Sequence, residues 1–298
     1  MDVSIIIVSY NTCNLTRNCL DSIYMQTEDL TFEVIVVDNG SSDGSIEMIK
    51  KDFPQVFLLE NNENLGFGAA NNRGLAIAKG KYILYLNSDT VLLNNAIKSF
   101  FDYWENSEKS EEIGALGCVL VDEHNKTIHS GAEFPTYSFL CKRQLKTLIR
   151  HITKSIIYLT HTEKLFDKYR NKERDISVHV GETQGDIVGA DLFLKNNQFA
   201  KFDETYFLYC EETDLELKLK QMGYKFFILD TPRIKHLIHK NNEKMKVCSF
   251  GELCCQNSSI LYAKKNLNSN AMLLSFLVMI DRLNPLLWKT VKEVNKKY

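Results

Sequence analysis

At 298 residues the chain is long enough to bury a sizeable core, as one large domain or one domain with appendages. Its 44% hydrophobic and 25% charged residues are ordinary for a soluble globular protein, and a formal charge of −2 gives no global case for a nucleic-acid partner. No stretch approaches the ~20 consecutive apolar residues of a spanning helix, and the N-terminus lacks the basic region of a secretion signal.

The eight cysteines are scattered, without C-x-x-C pairs, and read as reduced, mostly buried thiols of a cytoplasmic protein. Val3–Ser9 is a continuous apolar run, as expected for a strand of a parallel sheet covered on both faces. Tyr10 and Asn11 end it, and Thr12 or Asn14 can cap a helix carrying Leu15, Cys19, Leu20, Ile23 and Tyr24. Phe32–Val37 is a second strand, broken by Asp38-Asn39-Gly40-Ser41-Ser42-Asp43-Gly44, where Ser42 or Asp43 can cap the next helix. Val56–Leu59 is a third strand, and the stretch from Asn61 to Gly74 runs into a small-residue helix to about Lys79.

Tyr82–Asn87 is a fourth strand and ends in three small polar residues, Asn87-Ser88-Asp89. Alternating strands and helices at this spacing imply right-handed βαβ crossovers and a mainly parallel sheet. Ligands of such sheets sit outside the carboxyl ends of the strands. Asp89 is therefore expected to project into a crevice, where a hard divalent cation takes oxygen ligands.

Asn94–Tyr103 is predicted helical and Ile113–Val121 a strand. From Phe134 to Glu182 the helical periodicity is patchy, and Lys142, Arg143, Lys146, Arg150, Lys154, Lys168, Arg170, Lys172 and Arg174 outnumber the acids. This segment reads either as a solvated helical face or as a basic amphipathic patch resting on anionic lipid. The pattern resumes at Ile187–Leu194, and Glu211-Glu212-Thr213-Asp214 opens a helix Leu215–Met222 ended by Gly223. Lys225–Leu229 is a strand, followed by Pro232 and the pair His236 and His239. Past Phe250 the chain is helical, and the short apolar run Met272–Ile280 suits a helix that is either packed on the domain or interfacial.

Three oxygen-rich clusters fall at strand ends or in loops: Asp38-Asn39, Asn87-Ser88-Asp89 and Glu211-Glu212-Thr213-Asp214. With the opening Val3–Asn11, the block Val36–Asp43, Asn64-Leu65-Gly66-Phe67 through Asn72-Arg73-Gly74, and Phe202-Asp203-Glu204 through Leu215, the chain resembles family 2 glycosyltransferases of the GT-A fold. The motifs are most similar to the rhamnosyltransferase-like branch of bacterial surface-polysaccharide enzymes, over roughly residues 3–122 and 185–240.

That resemblance implies an α/β catalytic domain at residues 1–245, with a mainly parallel sheet flanked by helices, and a helical extension at 246–298. Residues 1–122 would bind the nucleotide sugar and 123–245 the acceptor. By the same resemblance Asp38 and Asn39 would meet the nucleotide, Ser9, Tyr10 and Asn11 would line its pocket, and Gly66, Phe67 and Asn72 would let the chain approach the donor closely. Asn87-Ser88-Asp89 stands at the family's D-x-D position with Asn for the first acid. Mg²⁺ or Mn²⁺ would thus rely on Asp89, the donor's diphosphate, water and His236.

Glu212 aligns with the second acid of a paired-acid motif and is the expected base. Glu211, Asp214 and Gly189-Ala190-Asp191 would orient the acceptor. The activity implied is inverting hexosyl transfer from a UDP- or dTDP-linked donor, rhamnose or a hexose, to a hydroxyl of a glycan or lipid-linked glycan in cell-envelope polysaccharide synthesis. The protein would be cytoplasmic, with peripheral contact at the inner face of the membrane. Two other readings are a dinucleotide-dependent oxidoreductase, from Gly66-Phe67-Gly68-Ala69-Ala70-Asn71, and a catalytically silent glycan-binding scaffold that keeps the fold.

Overall fold

Apolar residues on both faces of the early strands demand cover on both sides. The structure, a computed structural model, describes residues 1–160, 178–237, 250–268, 270–280 and 282–283. The described residues fall into two units: those up to 134, 178–207 and 211–237 form the first, and 135–160, 208–210 and those from 250 onward form the second.

The strands are β1 (Val3–Ser9), β2 (Phe32–Asp38), β3 (Phe57–Glu60), β4 (Tyr82–Asn87), β5 (Thr90–Leu92), β6 (Ile113–Val121), β7 (Gly131–Ala132), β8 (Gly181–Thr183), β9 (Asp186–Ile187), β10 (Asp191–Lys195) and β11 (Lys225–His236). The helices are α1 (Cys13–Gln26), α2 (Ser45–Asp52), α3 (Phe67–Leu75), α4 (Ala96–Asn106), α5 (Tyr137–Thr160), α6 (Glu211–Gln221) and α7 (Phe250–Asn266).

In the first unit the sheet runs β3-β2-β1-β4-β10-β6-β11-β5, with β8 paired to β11. The β1–β2, β1–β4, β2–β3 and β6–β11 pairs are parallel. β10 enters between β4 and β6 antiparallel to both. Alternation along the strands splits the core in two. Ile5, Ile7, Leu84 and Leu86 pack with Cys19, Leu20, Phe100 and Trp104 of α1 and α4, while Ile6, Ile83 and Tyr85 pack with Ala70, Leu215 and Leu219 of α3 and α6.

Several boundaries differ from the sequence reading, each for a local reason. α3 stops at Leu75, short of Lys79, because Ile77 and Ala78 donate three residues back, to Gly74 and Leu75, and end the helix. α6 starts at Glu211 and not at Leu215. Tyr209 and Cys210, with φ of 70° and 67°, turn the chain into it, and Glu211, Glu212 and Asp214 occupy its positive end.

β11 continues past Leu229 to His236. Its register against β6 breaks between Leu229 and Ile234, so Pro232 falls where no ladder donor is required. The 134–182 stretch contains a 24-residue helix, α5. Residues 271–280 are helical and bury Leu277 and Ile280 in the second unit, so one side of that run is packed. No described helix is long and apolar enough to cross a membrane. The described cysteines are all free thiols.

Candidate active site

Val8 pairs with Asn87 and Ser9 with Asp38, so β1, β2 and β4 finish level at one edge of the sheet. Asp38 is fully buried there. Its Oδ1 accepts the backbone N–H of Gly40 at 3.0 Å and of Ser41 at 2.7 Å, whereas Oδ2 is buried with no partner. An unpaired buried acceptor costs roughly 1–3 kcal/mol until a donor arrives.

Asn11, held at φ 54°, accepts the N–H of Ser42 at 2.8 Å and donates its own N–H to Ser41 Oγ at 2.9 Å, tying the β1 end to the β2 loop. Tyr10 between these contacts is exposed. Ser9 is buried in a ring of hydroxyls with Thr12, Thr16 and Ser88 at 3.0–3.2 Å. Thr12 thus spends its hydroxyl linking β1 to the Asn87-Ser88-Asp89 turn and makes no side-chain cap on α1.

Amides hold the next wall. Asn39 donates to Gly66 O at 3.0 Å and Asn64 Oδ1 at 3.2 Å and accepts from Asn61 at 2.7 Å; Asn61 in turn accepts from Arg73. Gly66, at φ 86°, approaches Phe207: a Cβ there would lie 2.2 Å from the Phe207 carbonyl oxygen, and Phe67 N–H donates to that same oxygen at 2.9 Å. Asn72 clamps the 202–204 turn through three bonds of 2.9 Å, donating to Phe202 O and Glu204 Oε1 and accepting from Phe202 N–H. Gly66 and Asn72 thus make close contacts within the protein that fix the loops around the strand ends.

The extension of β11 pairs His236 with Thr90. This brings His236 Nε2 to 3.2 Å from Asp89 Oδ1, and Leu237 N–H bonds the Asp89 carbonyl at 2.8 Å. A carboxylate and an imidazole side by side at a strand end can supply part of a divalent cation's coordination shell. Among the described residues no cluster of three His, Cys, Asp or Glu side chains forms around them. Cys19, buried beneath, contacts Thr90 at 3.6 Å, and burial pushes its thiol up to about 12.

Asn87 N–H bonds Ala190 O at 3.0 Å, and a Cβ on the adjacent Gly189 would lie 3.3 Å from Glu212 Cγ. Asn87, Ala190 and Gly189 thus link the Asp89 turn to Glu212. Glu212 is half-buried, but its Oε2 is enclosed without a partner. Burial, reinforced by the charge of Asp186, pushes its carboxyl up to about 7.

Asp186 accepts from Thr213 Oγ1 at 2.7 Å and Ala132 N–H at 3.1 Å, and is itself raised by burial. Glu216, one turn along α6, is completely buried, takes the Ile187 N–H on both oxygens (3.0 and 3.2 Å), and is held well above the carboxylate range by burial and by Asp186. Asp191 has no solvent-accessible surface. It accepts Cys118 N–H at 2.7 Å, its Oδ1 has no partner, and burial pushes it up to about 7. Glu211 is buried against α3, near Gly68. Asp214 is buried, bonded by the Tyr206 hydroxyl at 3.1 Å and paired with Lys218 at 2.6 Å.

The glycosyl transferase family 2 sequence profile matches residues 4–174, more than half of the chain. The chain is a family 2 glycosyltransferase. It is 35% identical over 270 residues to a glycosyltransferase of uncharacterised function, YfnE of Bacillus subtilis, covering 82% of this chain and 67% of that one. It is 26% identical over 225 residues to the poly(ribitol-phosphate) beta-glucosyltransferase of Bacillus spizizenii, covering 72% of this chain and 33% of that one. This glycosyltransferase therefore spans about a third of the latter's length.

Its GT-A fold is shared with a mannosyltransferase of Pyrobaculum calidifontis in complex with GDP-Man and Mn²⁺ (TM-score 0.56, 18% identity, 98% of this chain and 73% of that one). It is shared too with residues 1–349 of S. aureus TarS in complex with UDP-GlcNAc (TM-score 0.51, 12% identity, 94% and 71%).

Asp186 and Glu216 lie beside the candidate site with no motif to announce them. The sequence marks Thr12 only as a helix cap, and Glu204 only as part of the Phe202-Asp203-Glu204 block. His239 lies outside the described residues.

Proposed function

We propose that this glycosyltransferase transfers a sugar, with inversion, from a UDP- or dTDP-linked donor to a hydroxyl of a glycan or lipid-linked glycan. The setting is surface-polysaccharide assembly at the inner face of the membrane, with rhamnose or a hexose as the sugar. The observation that carries the reading is the continuity from the Asp89–His236 pair through Asn87, Ala190 and Gly189 to Glu212. It supports the reading by bringing Asp89, the carboxylate proposed to bind the cation, and Glu212, the proposed base, to one strand junction.

In this reading Asp38 Oδ2 takes an N–H of the nucleotide base, which would satisfy its empty acceptor, and the exposed Tyr10 ring borders that base. Asp89 and His236 would hold Mg²⁺ or Mn²⁺, whose Lewis-acid chemistry offsets charge on the departing diphosphate, worth several kcal/mol in the transition state. Glu212 Oε2 receives the proton of the attacking hydroxyl as that oxygen bonds to the anomeric carbon from the face opposite the diphosphate. A base poised near 7 is partly ionised at neutral pH and strong enough to contribute roughly 10²–10⁴-fold. The hydroxyl ring of Ser9, Thr12, Thr16 and Ser88 keeps the Asp89 turn in place.

A thermal-shift screen of nucleotide sugars with and without Mn²⁺ tests the reading, since a ligand that binds only the folded state raises its melting temperature. Mn²⁺-dependent stabilisation by a UDP- or dTDP-sugar, lost in Asp89→Ala, is expected. Stabilisation that ignores both the cation and Asp89 would refute the assigned role.

A further inference from the structure

α5, in the second unit, is built inside out. Against α7 it buries Leu140 together with the polar Gln144 and His151, which are 2% and 1% exposed. Gln144 bonds Gln256 O at 3.5 Å, His151 lies 3.5 Å from Glu252, and Arg143 and Arg150 reach Ser259 and Glu252. The opposite side is aliphatic: Leu145, Ile149 and Ile152 are 44%, 55% and 39% exposed. At 3.6 residues per turn these three fall within an arc of about 60°. Lys142 and Lys146 adjoin the arc on one side, both exposed, and Phe139, half exposed, lies beyond them.

The charge on this helix has one sign. Its 24 residues, YSFLCKRQLKTLIRHITKSIIYLT, include lysines and arginines but no aspartate or glutamate. A soluble helix normally turns its apolar stripe inward and mixes charges outside. An outward aliphatic stripe edged by lysines, with no acid to repel anionic headgroups, is the pattern of a helix lying in a lipid interface.

We propose that the Leu145–Ile149–Ile152 face of α5 docks on an anionic bilayer, the aliphatic side chains entering the headgroup–acyl boundary and Lys142 and Lys146 meeting lipid phosphates. This supplies the surface for the membrane contact in the function proposed above and rests on that reading only there. Transfer to a soluble acceptor does not require it.

The test is co-sedimentation of the full chain with vesicles of phosphatidylcholine plus phosphatidylglycerol, and with vesicles of phosphatidylcholine alone. Binding to the anionic vesicles only, weakened by added salt, is expected. Lys142→Gln with Lys146→Gln should lower the partition coefficient about 25-fold, at about fivefold per lysine. Ile149→Asp with Ile152→Asp should abolish binding. Both pairs are exposed, and an unchanged helical signal by circular dichroism of the full chain serves as the folding control.

Failure of the wild-type chain to sediment, or sedimentation that Ile149→Asp with Ile152→Asp leaves intact, overturns the proposal. So does a dimer of the wild-type chain, seen by sedimentation velocity without lipid, that these aspartates dissociate, because the stripe would then face a second copy. Loss of vesicle binding with normal transfer to a soluble acceptor separates this surface from the catalytic assignment.

Discussion

Glu212→Gln should move activity and stability in opposite directions. In the folded chain burial and the charge of Asp186 raise the Glu212 carboxyl from 4.5 to about 7. At 1.36 kcal/mol per pH unit, this displacement is worth about 3 kcal/mol. The folded state keeps a proton that the unfolded chain releases, so stability is unaffected below about pH 4.5 and falls as pH rises through about 7.

Glutamine is nearly the same shape and never ionises. The variant should therefore match the wild type near pH 4 and exceed it by about 3 kcal/mol near pH 8, a shift of about 1 M in urea midpoint for an m of about 3 kcal/mol/M. The same substitution removes the base and should lower kcat roughly 10²–10⁴-fold. Urea titrations at the two pH values, with transfer measured on the same preparations, give both readouts. Equal stability at both pH values would refute the buried-charge reasoning, and unimpaired turnover would refute the base.

Asp186→Asn keeps the hydrogen-bonding positions facing Thr213 and Ala132 but removes the charge that raises Glu212, so the acidic limb of the kcat–pH profile should move to lower pH. His236→Ala should raise the Mn²⁺ concentration needed for half-maximal transfer several-fold while leaving the fold intact by circular dichroism, because it removes the partner 3.2 Å from Asp89. Gly66→Ala places a methyl group 2.2 Å from the Phe207 carbonyl at a positive φ and should cost more than about 3 kcal/mol by urea unfolding. Asn72→Ala strands the Phe202 N–H and C=O and should cost about 2–3 kcal/mol in the same assay.

The left half of the sheet was legible because Val3–Ser9 and Tyr82–Asn87 are apolar throughout and stop at small polar residues, so period and punctuation agree. The expectation for Asp89 comes from the rule that α/β sheets bind ligands at strand ends, and that for Asp38 from the family resemblance. Strand direction leaves no mark in composition, so the antiparallel entry of β10 stayed hidden even though Asp191–Lys195 reads as a strand.

The neighbours of Glu212 were illegible for a related reason. Asp186 follows Gly185 and looks like a turn acid, and Glu216 looks like a surface acid one turn along a helix; only tertiary packing brings them together. Pro232 hid the extension that carries His236 to Asp89, because a proline inside a strand is tolerated only where the ladder is broken. α5 escaped a clear periodic reading because Gln144 and His151 occupy its buried side while Leu145 and Ile149 face outward.

The most direct test of the central claim is calorimetric titration of UDP and dTDP, with and without Mn²⁺, into the wild type, Asp89→Ala and Glu212→Gln. Mn²⁺-dependent binding is predicted for the wild type and for Glu212→Gln, whose defect lies in proton removal, and its loss is predicted for Asp89→Ala. Binding that is indifferent to Mn²⁺, or that Asp89→Ala retains, would contradict the account.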